Sequence, residues 1–159
     1  MYKDFLAPKA SRTPISAPKW IEGAPDVILC DIDGTLALFG DANPYDRDFS
    51  KDQINQAIWN ILKTYDDSTS SYIILLSGRN GKYQEITDKW LDNNGVHYDA
   101  LFMRKEGDTR KDSIIKEEIY RAEIEGKYNV LFVLDDRNQV VDLWRSLGLT
   151  CLQVAEGNF

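Results

Sequence analysis

The sequence predicts one doubly wound α/β domain, a Rossmann-like parallel sheet flanked by helices. Three observations carry that expectation. Short apolar runs alternate with longer amphipathic ones from Pro25 onward. Several of the short runs are apolar at every position, as strands covered on both faces must be. Three of them end in a polar cluster: Asp31-Ile32-Asp33-Gly34-Thr35, Ser77-Gly78-Arg79 and Asp135-Asp136-Arg137. Open α/β sheets bind ligands at the carboxyl ends of their strands, so the clusters converge on one site.

The strands are expected at 27–32, 72–76, 100–103, 130–134 and 151–154. Helices are expected at 51–65, with Ser50 as cap, then at 82–94, 112–125 and 138–147, two of them stopped by Gly95 and Gly148. Trp59, Trp90 and Trp144 fall on apolar helix faces and read as core. Residues 1–24 hold Pro8, Pro14, Pro18 and Gly23 with little periodicity, so they read as a flexible arm before a domain at 25–159. Whether Trp20 and Ile21 dock on the domain is left open.

The 159 residues suffice for one core. No apolar run approaches the roughly 20 residues of a membrane span, and no secretory leader is recognisable, so the expected location is the cytoplasm. Cys30 and Cys151 sit in apolar runs and read as buried thiols. The net charge of −7 excludes a protein that coats a duplex, because phosphate neutralisation needs many cations. It leaves room for an enzyme that grips a strand end with a few arginines. Lone His97 has no companions and reads as neither ligand nor base.

Asp31 and Asp33, two apart at a strand end, can face the same side, and Gly34 lets the chain turn sharply behind them. A carboxylate attacking a phosphate dianion meets like charge, so a cation is required. The hard oxygens of Asp31, Asp135 and Asp136 suit Mg²⁺. Asp33 is placed to protonate the leaving oxygen and then to take a proton from water. Asp112 and Lys116, four apart on a helix, share a face.

Residues 31–35 resemble motif I, D-x-D-G-T, of the haloacid dehalogenase phosphatase superfamily. The resemblance implies Asp31 as nucleophile, Asp33 as general acid/base, Ser77 and Lys116 at the phosphoryl group, and Asp135 and Asp136 as the acidic pair. Asp31, Asp33, Asp135 and Asp136 together form the implied metal set. From residue 25 to 159 the chain is similar to the 3′-phosphatase domain of phage polynucleotide kinase-phosphatases, through Ser77-Gly78-Arg79, Glu106 to Asp112, Lys116 to Ile119, Asp135 to Val141 and the ending Gln153 to Phe159. That likeness adds Arg79, Arg104 and Asp112 to the site. Lys111 rivals Lys116, and Arg137 reads as structural. The family's extra arginine after motif I aligns with Ala42, with Arg47 nearby. No G-x-x-x-x-G-K-[ST] segment occurs, so a kinase that accompanies this phosphatase is expected on another polypeptide or in a part cut away, with a kinase or ligase on another chain as candidate partner.

The gaps after motif I and after Arg79 are too short for a large cap domain, so the site is expected to stay open to a polymer end. The leading expectation is a nucleic-acid 3′-phosphatase working through a phospho-aspartyl intermediate. The rivals are a small-molecule phosphatase of the same superfamily and a phospho-Asp signalling receiver. Asp33 argues against the receiver, which must preserve its acyl phosphate.

Overall fold

A computed structural model describes residues 19–159. The larger part of the arm at 1–24 lies outside the described residues. Five parallel strands form the sheet: β1 (Asp26–Asp31), β4 (Tyr72–Asn80), β5 (Ala100–Arg104), β6 (Asn129–Asp135) and β7 (Cys151–Gln153), in the order β5-β4-β1-β6-β7. The short β2 (Ala37–Leu38) and β3 (Gln53–Ile54) pair antiparallel beside it. Four helices connect the strands: α1 (Gln56–Ser68), α2 (Gln84–Asn93), α3 (Asp112–Glu123) and α4 (Asn138–Ser146). None is long and apolar enough to cross a membrane.

β1 shows why the sheet is central. Ile28 and Cys30 enter one apolar layer with Ile58 and Leu62 of α1 and Trp90 and Leu91 of α2. Val27 and Leu29 enter the opposite layer with Tyr120 of α3 and Val140, Val141 and Trp144 of α4. A strand buried on both sides has no polar alternation. Both cysteines are free and buried. Strand order reverses between the parallel β1 and β6, with β4 and β5 laid to one side and β7 to the other, so the ends of these two strands form the crevice where Asp31 and Asp135 meet.

One expected helix is corrected. The segment expected to be helical from residue 51 begins its helix at Gln56, and Ser50 caps nothing. Residues Phe49–Lys51 form a 3₁₀ turn in which the Ser50 N–H donates to the Asp48 carboxylate at 3.1 Å. Asn55 then donates its backbone N–H to the Leu36 carbonyl at 2.8 Å and its side-chain amide to that of Thr35 at 2.9 Å. Pairing with the turn after motif I thus outweighs the helical periodicity. Between the two short strands, residues 39–52 fold over the sheet end as a small flap. At the other end of the chain's described part, Ile21 exchanges hydrogen bonds with Asn129, whereas Trp20 is exposed. Of the three helical tryptophans, Trp90 and Trp144 are buried and Trp59 is half-buried.

Candidate active site

β1 ends at Asp31 and β6 at Asp135, and the turn after β1 folds back onto both. Gly34 sits at φ +84°, where a side chain is strained, and a Cβ there would run into the Asp136 carboxylate. The close approach brings one oxygen each from Asp31, Asp135 and Asp136 within 4.8 Å of one another. All three carboxylates are buried. Lys116, fully buried on α3, donates to Asp31 Oδ1 at 2.6 Å and to Asp135 Oδ2 at 2.9 Å. Asp112, its expected partner one turn back, stands farther off at 3.6 Å.

The two members of the acidic pair differ in how occupied they are. Asp135 Oδ1 accepts from the backbone N–H groups of Asp136 and Arg137, and its Oδ2 from Lys116 and the Trp144 indole. Among the described residues the Asp136 carboxylate has only the Thr35 hydroxyl, at 3.5 Å. That hydroxyl also holds Asp31 Oδ2 at 3.1 Å. Asp135 is therefore committed to the protein, and Asp136 keeps lone pairs free for a ligand.

Asp33 is not a member of the triad. Its carboxylate is held by Arg79, at 2.6 Å, and by Arg47. Asp52 completes this group, bonding Arg47 Nε at 2.8 Å and Nη2 at 2.6 Å. Arg47 spends its remaining donors on the Asn43 and Pro44 carbonyls, while Phe39 and Phe49 lie against its guanidinium. Arg79 also donates to Thr87 and packs on Phe49. Two arginines and two aspartates thus tie the flap to Asp33, two residues beyond Asp31.

The other expected residues gather at the same sheet end. Ser77 is buried, its hydroxyl accepting from the Arg79 N–H. Arg104 lines the pocket but directs its donors to the carbonyls of Gly78, Asp108 and Arg110. Asp112 is surrounded by Lys116, Arg104 and Arg137 at 3.6–3.7 Å, with one oxygen left without a hydrogen bond. Arg137, read from the sequence as structural, lines the pocket as well. Asp52, Thr35 and the donor role of Trp144 went unread. Thr35 was visible inside the motif; nothing local marks the other two.

Crowding sets the electrostatics. Burial raises the Asp31 carboxyl well above its usual range, and Asp135, Asp136 and Asp112 add to the rise against the pull of Lys116. Burial, then Asp135, pushes Asp136 up to about 6. Burial alone would lower Lys116, but Asp135, Asp31 and Asp112 outweigh it and keep the ammonium charged. Three hard-oxygen groups gathered within 4.8 Å of one another are a fitting seat for a small divalent cation.

This gives a first expected result. A carboxyl whose folded pKa of about 6 exceeds its ordinary 3.8 favours the fold below the ordinary value. The contribution is lost as pH rises through about 6, and a cation bound to the ionised cluster offsets the loss. Mg²⁺ should raise the thermal midpoint by several degrees near about pH 8 and by little near about pH 4. Equal gains at both would remove the cluster as the binding site.

Fold and site together define a class, the phosphatase domains of the haloacid dehalogenase type. Comparison with known proteins narrows it. The family described as the polynucleotide kinase PNKP phosphatase domain matches residues 25–159. A protein of Autographa californica nuclear polyhedrosis virus, provisionally named a bifunctional polynucleotide kinase/RNA ligase, is 34% identical over 126 residues, which is 77% of this chain and 18% of the viral one. A chain in the structure of the Pnkp1/Rnl/Hen1 RNA repair complex is 42% identical and superposes with a TM-score of 0.89, over 93% of this chain and 48% of that one. A second structure of the Pnkp1/Rnl/Hen1 complex matches at 42% identity and a TM-score of 0.88, over 92% and 52%. The chain belongs to the polynucleotide kinase PNKP phosphatase domain family. It spans about half the length of the matched chains in those complexes and under a fifth of the viral relative.

Proposed function

We propose that the chain is a polynucleotide 3′-phosphatase that works through a phospho-aspartyl intermediate on Asp31. The observation that carries the reading is the buried triad of Asp31, Asp135 and Asp136 with Lys116 set between two of its members. Thr35 and Lys116 fix the Asp31 carboxylate from either side, and each oxygen keeps a second lone-pair direction for attack. A carboxylate oxygen of Asp31 bonds to phosphorus as the bond from phosphorus to O3′ breaks. The departing O3′ takes a proton from Asp33. Asp33 then accepts a proton from the water that attacks the acyl phosphate, releasing phosphate and restoring Asp31.

In this reading Asp31 and Asp136 would hold Mg²⁺, with Asp135 bracing them. The ion would draw off charge so that carboxylate and phosphate can approach. Ser77 and Lys116 serve the phosphoryl oxygens. Asp112 is a positioning residue for Lys116, Arg104 and Arg137.

The polymer-end assignment is supported by the small flap, which leaves the pocket open, and by Arg104, Arg110, Lys111 and Arg137 along its wall. The chain would then supply one step of end healing, with kinase and ligase activities acting on the same ends from outside residues 1–159. The test is phosphate release from a 3′-phosphorylated oligonucleotide, with and without Mg²⁺, beside a 5′-phosphorylated strand and a 3′-mononucleotide. Mg²⁺-dependent release that favours the 3′-phosphorylated strand is expected. Hydrolysis confined to the mononucleotide would instead make this a small-molecule phosphatase.

A further inference from the structure

The pocket before Asp31 has a volume of about 480 Å³, far more than a phosphate group fills, and its walls are of two kinds. The inner wall is acidic, built from Asp31, Asp33, Asp135 and Asp136. The rim is aromatic. Seven large hydrophobic side chains are exposed among the described residues, and two of them, Tyr45 at 69% and Phe159 at 57%, border this pocket.

Both rings are held in place although neither is packed away. Arg137 Nη2 donates to the Tyr45 hydroxyl at 3.3 Å. The same guanidinium lies 4.9 Å from the centre of the Phe159 ring, and its Nε donates to the Phe159 carbonyl at 2.8 Å. Gln139 donates to that carbonyl too, at 3.2 Å. Arg137 is in turn steadied from within by Asp112, 3.7 Å away. One arginine therefore links the charge network behind the nucleophile to two solvent-facing aromatic rings at the pocket mouth.

An exposed ring held against an arginine is a ready platform for an unpaired nucleobase. Every base has a π-face, so such stacking tolerates sequence, and holding the ring in advance lowers the entropy lost on binding. We propose that Tyr45 and Phe159, positioned by Arg137, form the subsite for the base of the nucleotide that carries the 3′-phosphate. The inference rests on the 3′-phosphatase reading and deepens it: the enzyme distinguishes a nucleoside phosphate from any other alkyl phosphate at this rim. The ligand class is a single-stranded terminal nucleotide of any base.

The experiment compares two 3′-phosphorylated oligonucleotides that differ only at the last residue, one with its base and one with an abasic sugar analogue. The wild-type chain is expected to prefer the intact end by about tenfold in kcat/KM, chiefly through KM. Tyr45→Ala and Phe159→Ala should each shrink that ratio toward one, while Tyr45→Phe, which keeps the ring but loses its bond to Arg137, should retain most of it. Both positions are exposed, so the substitutions leave the core untouched. A wild-type chain indifferent to the base, or a preference that survives both alanine variants, would overturn the subsite while leaving the phosphatase standing. Failure to release phosphate from either strand would overturn the phosphatase reading and the subsite with it.

Discussion

Asp31→Asn should lower turnover by at least about 10³-fold, the scale seen when a nucleophile is lost from an otherwise intact site. The fold should survive, for reasons visible in the site. Asparagine keeps the shape: its amide oxygen can accept from Lys116 while its amide nitrogen donates to the Thr35 hydroxyl, which turns to accept. Lys116 retains Asp135, and one of three crowded carboxylates has gone. The thermal midpoint of the metal-free variant should therefore hold or rise, and the gain from adding Mg²⁺ should shrink. Kinetic assay and thermal melting of one protein read both effects. Near-normal turnover would exclude covalent catalysis at this position, and a collapsed midpoint would make the loss one of folding.

Lys116→Met separates the two effects in the opposite direction. The ammonium is fully buried and is the only cation bonded to Asp31 and Asp135 among the described residues. Methionine fills its volume but leaves those buried carboxylates without it. Removing one partner of a buried ion pair typically costs about 3–5 kcal/mol. For a domain of this size that is a fall in midpoint on the order of 10 °C at neutral pH. The deficit should narrow in acid, where the raised carboxyls protonate, and narrow again with Mg²⁺ bound. Activity should fall as well, because the phosphoryl group loses a neutralising contact. A variant as stable as the parent at neutral pH would show that the lysine compensates nothing.

The residues explain which parts could be read in advance. The five strands were legible because β1, β4 and β6 are covered on both faces and so carry unbroken apolar runs. Asp31, Ser77 and Asp135 were legible because each interrupts or ends such a run. The flap was not. Residues 51–55 look helical on their own, and only the long-range pairing of β3 with β2 and of Asn55 with Leu36 decides otherwise. The cluster of Asp33, Arg47, Asp52 and Arg79 was hidden for the same reason: apart from Arg47 and Asp52, five residues apart, its bonded pairs are separated by 14 to 46 residues. Lys116 shows a partial reading. Its helical spacing to Asp112 was visible, yet its shorter contacts reach 85 and 19 residues away, to Asp31 and Asp135. Periodicity reports neighbours on one element; a site assembled from several strand ends is reported only by the fold.

A covalent phosphoryl group on Asp31 is the central claim, and trapping it tests the claim most directly. Asp33→Asn removes both the group that activates water and the acid for the leaving oxygen, so the intermediate should accumulate with an aryl phosphate, whose leaving group needs no acid. Acid-quenched reactions of this variant with an aryl phosphate and Mg²⁺, digested and read by mass spectrometry, should place a phosphoryl adduct on the peptide holding Asp31. Steady release of phosphate with no adduct at any quench time, or an adduct on a different residue, would contradict it.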